Sequence, residues 1–336
     1  MNKIISTITA VGHYVPEKKI TNFDLEKLVD TNDEWIRART GISERRIMEQ
    51  GATSDMSVKA IEIILKQRGI SAQEIDVIIV ATVTPDMFFP ATACVIQAKI
   101  GAKNAWGFDI SAACSGFVYA ITVGSQMIET GRYKKIIVVG ADKMSSILNY
   151  SDRNTCILFG DGAGAVLLEP SSDESFGIID HKLYSDGNGG NFLYMKAGGS
   201  LNPPTHETID KKMHYIYQDG KSVYKNAVVG MADVSAEIMK RNNLTGDDVA
   251  WLVPHQANLR IIDACAERMK LDKSKVMINI EKYGNTTAAT IPLCLSEWYY
   301  AGKIKKGDNL ILSSFGAGYT WGAVFVKWSM DLPKGN

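Results

Sequence analysis

Residues 65–82, LKQRGISAQEIDVIIVAT, and residues 239–256, MKRNNLTGDDVAWLVPHQ, align without a gap at an offset of 174. Each reads as the end of an amphipathic helix, a polar turn (Ser71 or Thr245, then an acid at Glu74 or Asp248) and a buried strand. A second match follows in the same order. Gly131-Arg132-Tyr133-Lys134-Lys135 faces Gly302-Lys303-Ile304-Lys305-Lys306 at an offset of 171, and each leads into an apolar strand, IIVVGA or NLILSS. Both stretches then close on a Gly-rich turn and a strand, FGDGAGAVLLE and SFGAGYTWGAVFVKW. Two ordered matches at nearly one offset predict a duplicated chain, and helices alternating with strands in each copy predict two α/β halves. We place the N-terminal half at 1–170 and the C-terminal half at 223–336. The Gly/Pro/Asn-rich segment 171–222, with SDGNGGN and GGSLNPPTHET, reads as an inserted loop region that caps the site.

Composition excludes several classes. Hydrophobic residues make up 46% and charged residues 22% of 336, which is a globular and not a disordered balance. Lys plus Arg equals Asp plus Glu at 37 each, so no global field recruits nucleic acid or an anionic membrane, and any basic docking patch must be local. The five cysteines (94, 114, 156, 265 and 294) are scattered without a C-x-x-C, which argues against a disulfide framework or a zinc site and for a reducing cytoplasm. The start, MNKIISTITAVGHYVP, lacks the continuous apolar core of a signal peptide, and no apolar run approaches the roughly 20 residues of a membrane span.

Chemistry concentrates at three residues. In DISAACSGFVYA (109–120), an apolar strand runs into Cys114, and Phe117, Ala120, Ile121, Gly124 and Ile128 then recur at helical spacing, so Cys114 opens a helix. There the helix dipole and free N–H groups are expected to lower the thiol pKa below its usual ~8.5, and the small residues around it leave room for a substrate. The 171 offset pairs Cys114 with Asn285 in KYGNTTAATIP. His255, in LVPHQANLR, ends the repeated strand of the second half, where α/β sites form. The duplication is therefore expected to bring Cys114, His255 and Asn285 to one cavity. DGKS (219–222) lacks the first glycine of a phosphate-binding loop, GDGAGA (160–165) leads into a strand, and SDGNGGN lacks calcium-loop acids, so neither a nucleotide nor a metal cofactor is expected.

With these residues placed, the chain closely resembles the β-ketoacyl-[acyl carrier protein] synthase III family. The likeness runs nearly end to end, through TNDEWIRARTGISERR, AACSG, DRNTCILFGDGAGAVLLE, VPHQANLRI, YGNTTAATIP and SFGAGYTWG. The resemblance implies a thiolase fold, a five-layered αβαβα arrangement of duplicated halves, as a cytoplasmic homodimer that initiates fatty acid synthesis. Its implied substrates are an acyl-CoA, acetyl-CoA or another short one, and malonyl-acyl carrier protein, without a further cofactor. By the same resemblance Cys114 takes the acyl group, while His255 Nε2 and the Asn285 amide hold the malonyl thioester oxygen as it becomes an enolate. A second oxyanion site is implied at the Cys114 N–H and the Gly316-Ala317-Gly318 turn, with Phe315 beside the malonyl group. Trp35 and Arg153 match a clamp on the CoA adenine, and Asn258 a position near pantetheine. Arg260, Lys225 and Arg39 match or lie near a carrier-protein docking surface. Phe89 matches a residue that walls the partner's acyl pocket.

The order Cys, His, Asn also fits a papain-like hydrolase, but the flanking signature of that family is missing. A thiolase would place a second cysteine in the turn that here reads Phe315-Gly316-Ala317-Gly318.

Overall fold

In a computed structural model that describes residues 4–333, the two copies of the repeat become the same sheet built twice. The first half supplies β1 (Ile5–Tyr14), the short pair β2 (Lys19–Thr21) and β3 (Glu44–Arg46), then β4 (Val77–Ala81), β5 (Trp106–Ile110), β6 (Ile136–Lys143) and β7 (Asp161–Ser171). Its main sheet has the order β1-β7-β6-β4-β5. The rest of the chain supplies β8 (Gly177–Ser185), β9 (Leu193–Met195), β10 (Ile216–Gln218), β11 (Trp251–Pro254), β12 (Asn309–Gly316) and β13 (Thr320–Lys327). The second sheet reads β8-β13-β12-β11 and is extended past β11 by a parallel bridge from Leu252 to Val276. Register repeats with topology: Val77 pairs with Ile136 and Trp251 with Leu310, so each partner is displaced by 174 (251 − 77 and 310 − 136).

The VIIVA run of β4 is wholly buried because parallel neighbours flank it and helices cover both its faces. Between the two sheets lie the helices Gly116–Glu129 and Thr290–Tyr300. The first buries Phe117, Ala120, Ile121, Gly124 and Ile128, the face its spacing predicts. With Val138, Leu168, Ile291, Leu295, Leu312 and Val324 these side chains form the central core. Thr53–Arg68 and Thr92–Lys99 cover the outside of the first sheet, and Gly220–Arg241 and Leu259–Arg268 the outside of the second. The five αβαβα layers of the thiolase fold follow. Most of GDGAGA, expected as a turn, lies within β7 itself: a Cβ on Gly164 would lie 2.7 Å from the backbone nitrogen of Leu293, so glycine lets the Thr290–Tyr300 helix settle on the strand.

One boundary moves. The segment expected as an insertion at 171–222 contains the end of β7 and all of β8, which pairs with β13 as an integral strand of the second sheet. The second half thus begins at Gly177, and the insertion narrows to the stretch between Ser185 and the helix at Gly220. Sequence reading misplaced it because the loop signals of SDGNGGN begin only after an edge strand whose own pattern is half-buried. The inserted stretch folds as the β9–β10 ribbon and the short helix His206–Asp210. It is tied to the second sheet by paired hydrogen bonds between Asp186 and Tyr319. Among the described residues, no helix is long and apolar enough to cross a membrane and no cluster of His, Cys, Asp or Glu could hold a metal ion.

Candidate active site

Ala113 takes a left-handed conformation (φ 47°) and starts a 3-10 turn, Ala113–Ser115, that hands Cys114 to the N-terminus of the helix at Gly116. The second half grips this turn. Ser314 Oγ donates to the Cys114 carbonyl (2.8 Å), Ser115 Oγ to that of Thr320 (2.8 Å), and Thr320 Oγ1 to that of Ala112 (3.0 Å). The environment overturns one expectation. Burial, with the nearby Asp142 carboxylate adding to it, pushes the Cys114 thiol up to about 12, against the opposing pull of its own N–H and the Asn285 amide. The helix terminus is where the sequence places it, but burial and the Asp142 charge outweigh the N–H and amide donors around the sulfur, which favours the thiol.

His255 follows β11, its N–H held by the Ser313 carbonyl at 2.8 Å. Full burial drops its imidazole to about 3, so it is neutral at any ordinary pH. Nδ1 lies 2.8 Å from Thr290 Oγ1, and the ring borders the cavity. Next to it, Gln256 donates to the Pro254 and Met277 carbonyls and accepts from the N–H groups of Asn279 and Ile280, which fixes the strand end. Asn285 is held by main-chain bonds to Leu158 and Gly160. Its Oδ1 accepts from Thr287 N at 2.8 Å, which leaves the NH₂ as the end that faces the thiol. The carboxamide thus caps a turn and supplies a donor at once.

Cys114, His255 and Asn285 border one cavity of about 430 Å³, with Phe315 and Gly316 beside them. Trp35, Arg39, Lys221, Asn258 and Arg260 line the same cavity toward its mouth. Arg153 is not part of the lining, but its guanidinium lies 5.0 Å over the Trp35 ring, with Arg39 5.7 Å from that ring. The cap on the Trp35 helix is Asn32, whose side chain accepts from Trp35 N (2.8 Å). Asn258 has its Oδ1 on Arg260 N and its Nδ2 on the Arg39 carbonyl, both 2.9 Å, so it pins one mouth helix to the other. Ala317, Gly318 and the exposed Lys225 lie outside the lining. So does Phe89, 84% exposed at the tip of a loop with Phe88 and Met87 and anchored at its base by Asp86 on Ser54.

The pairing of Cys114 with Asn285 is corrected by three. The 3-10 turn Ala113–Ser115 repeats as Thr287–Ala289, the helix start Gly116 as Thr290, and left-handed Ala113 as left-handed Thr287 (φ 55°). The local offset is therefore 174 (290 − 116), and the mate of Cys114 is Ala288. The 171 offset holds only in the turn between each helix and the next strand, and 174 returns in β6 and β12. This symmetry exposes a residue that sequence reading missed. Ala288 N–H donates to Asp142 Oδ2 at 3.2 Å, and the other oxygen, Oδ1, accepts from Thr82 Oγ1, Val83 N, Thr84 N and Thr84 Oγ1. Burial raises this carboxyl to about 6 in spite of those donors, so it is ionised at neutral pH. The mate of Asp142 on β12 is Gly316. A Cβ there would lie 2.7 Å from Cys114 N, so where β6 sets a carboxylate against the Ala288 turn, β12 has a glycine that lets its backbone lie directly against the Cys114 turn. The one visible signal was an acid ending an otherwise apolar strand, IIVVGAD.

Two interlocked α/β halves that bring a thiol, an imidazole and a carboxamide to one cavity define a thiolase-fold protein with a thiol-centred acyl site. A family profile described as "3-Oxoacyl-[acyl-carrier-protein (ACP)] synthase III" matches residues 108–187, and its "C terminal" companion residues 239–328. The chain is 60% identical over 326 residues to the Beta-ketoacyl-[acyl-carrier-protein] synthase III of Chlorobium luteolum, covering 96% of this chain and 99% of that one. Among solved structures, the 3-oxoacyl-[acyl-carrier-protein] synthase III of Aquifex aeolicus superposes with a TM-score of 0.89 at 42% identity, covering 96% of this chain and all of that one. A priming β-ketosynthase of the R1128 polyketide pathway superposes at 0.91 with 32% identity, covering 99% and 98%. The chain belongs to the β-ketoacyl-[acyl carrier protein] synthase III family.

Proposed function

We propose that this protein joins an acyl-CoA primer to malonyl-acyl carrier protein by decarboxylative Claisen condensation, releasing CoA and carbon dioxide and initiating fatty acid synthesis. The observation that carries this reading is the single cavity that connects a tryptophan–arginine mouth to a thiol flanked by an imidazole and a carboxamide. Cys114 Sγ attacks the thioester carbon, the C–S bond to CoA breaks, and the thiol proton leaves with CoA. During that step the carbonyl oxygen takes negative charge beside the Cys114 N–H, in the cavity that Cys114 and Gly316 both line. Malonyl-acyl carrier protein then loses its carboxylate as carbon dioxide. The electron pair spreads onto the thioester oxygen, where donors from His255 Nε2 and Asn285 Nδ2 stabilise it in a water-poor cavity. The new carbon–carbon bond expels Cys114.

Trp35 and Arg153 offer an aromatic face and a cation to the CoA adenine. Arg260, Lys225 and Arg39 supply the positive rim for an acidic carrier protein, and Arg260 also stacks on Tyr224 at 4.9 Å. The exposed Met87, Phe88 and Phe89 are the surface on which a second copy would close, making the cytoplasmic enzyme a homodimer. The 60% identity to the Chlorobium relative favours fatty acid initiation over a specialised polyketide product.

The test is a panel of acyl-CoAs with malonyl-acyl carrier protein, products weighed by mass spectrometry. Short acyl-CoAs should give 3-oxoacyl carrier protein, Cys114→Ser should form no acyl-enzyme, and Asn285→Ala should acylate normally while decarboxylation falls by roughly 10²–10³. No new carbon–carbon bond with any primer, or equal loss of both half-reactions in Asn285→Ala, would refute the reading.

A further inference from the structure

Holding an enolate oxygen demands a hydrogen on His255 Nε2, and a neutral imidazole carries only one hydrogen. The partner of Nδ1 therefore decides whether the cavity meets a donor or a lone pair. That partner is Thr290 Oγ1, at 2.8 Å in a fully buried contact. A threonine hydroxyl also holds a single proton, and two acceptors lie within its reach: Nδ1 and, at 3.1 Å, the carbonyl of Thr287. That carbonyl already accepts the main-chain N–H of Thr290, which closes the 3-10 turn, so it does not need the hydroxyl. Nδ1 has no other hydrogen-bond partner among the described residues. Either tautomer satisfies Nδ1, but only the arrangement in which the Thr290 hydroxyl donates to it leaves on Nε2 the hydrogen that an enolate oxygen requires.

We infer that Thr290 is a positioning residue for the decarboxylation half-reaction: its hydroxyl donates to His255 Nδ1 and thereby keeps the imidazole proton on Nε2, aimed into the cavity. The inference rests on the condensation reading above and adds to it the group that sets the histidine tautomer. It also gives the turn a double duty. Asp142 clamps Ala288 N–H, and the same turn presents Asn285 on one side and Thr290 on the other, so both proposed oxyanion donors are aligned by one carboxylate. Thr290 comes from the helix that mirrors the nucleophile helix, whose corresponding residue is Gly116. The first residue of one helix lets that helix settle against Ala81 of β4, and that of the other orients the histidine.

Two measurements test this. In the parent protein, ¹⁵N chemical shifts of labelled histidine should show the His255 signal as the Nε2–H form, and Thr290→Val should move it toward Nδ1–H or a mixture. In parallel, Thr290→Val should keep acylation by acyl-CoA near the parental rate while carbon dioxide release from malonyl-acyl carrier protein falls on the order of 10²–10³. Thr290→Ser, which retains the hydroxyl, should restore both the tautomer and the rate. A parental His255 in the Nδ1–H form, or a folded Thr290→Val that decarboxylates as the parent does, would overturn the inference. Should Thr290→Val fail to fold, the parental tautomer and the Thr290→Ser rate decide alone. The tautomer is read without substrate, so an absence of condensing activity would sink the functional reading and leave this measurement standing.

Discussion

Gly316→Ala tests the close approach of β12 to the thiol turn. An ideal Cβ on residue 316 lies 2.7 Å from Cys114 N, 3.0 Å from Ser115 N and 3.3 Å from the Ala112 carbonyl oxygen. All three are main-chain atoms, and the Ser314 and Thr320 hydroxyls hold this turn from the opposite sheet, so none can easily retreat. The methyl would sit at the distance of about 2.7–3.1 Å from the N–H that an oxyanion occupies. Loss of one such donor costs about 2.7–4 kcal/mol, or 10²–10³ in rate, and the crowding adds about 1–3 kcal/mol of destabilisation. The assay is the time course of acyl-enzyme formation from acetyl-CoA, read by intact mass, together with a thermal melt. Acylation should slow by that factor in a protein that still folds, with primer-independent decarboxylation of malonyl-acyl carrier protein much less affected, because the His255 and Asn285 donors are untouched. A folded variant that acylates at the parental rate would refute both the oxyanion position and the symmetry argument behind it.

Further outcomes follow from the same site. Because Cys114 is pushed up to about 12, alkylation of its peptide by iodoacetamide should keep rising about tenfold per unit from pH 7 to 9; a plateau near neutrality would mean a resting thiolate. Asp142→Asn should act in two opposite directions. Removing the negative charge lowers the Cys114 pKa and speeds alkylation at fixed pH, while the Ala288 clamp loses an acceptor worth about 1–3 kcal/mol and condensation slows. Parallel changes of alkylation and condensation would contradict the two roles.

Much of this architecture is legible because it is written in local pattern. The VIIVA and WLVP strands and the helix face from Phe117 to Ile128 are each set by near neighbours in the chain, and the repeat at an offset of 174 predicts two α/β halves. Cys114 and His255 stand out because each begins or ends such an element, whereas Asn285 is reached through an offset that does not hold at that point and through the family resemblance. Other features depend on residues far apart in sequence. The Asp142–Ala288 contact spans 146 positions and the Ser314–Cys114 contact 200, and neither changes any periodicity. β8 escaped notice because half of its surface is open and its register is set by β13, not by its own alternation.

The thiol shows the division most clearly. Sequence by itself determined that Cys114 stands at a helix start, since strand, turn and helix signals are local, and a helix dipole favours the thiolate. Only the packed molecule decided that the sulfur is a thiol, because burial by the second half and the charge of Asp142 are contributed by distant segments, and desolvation in that closed space exceeds the pull of a single helix end.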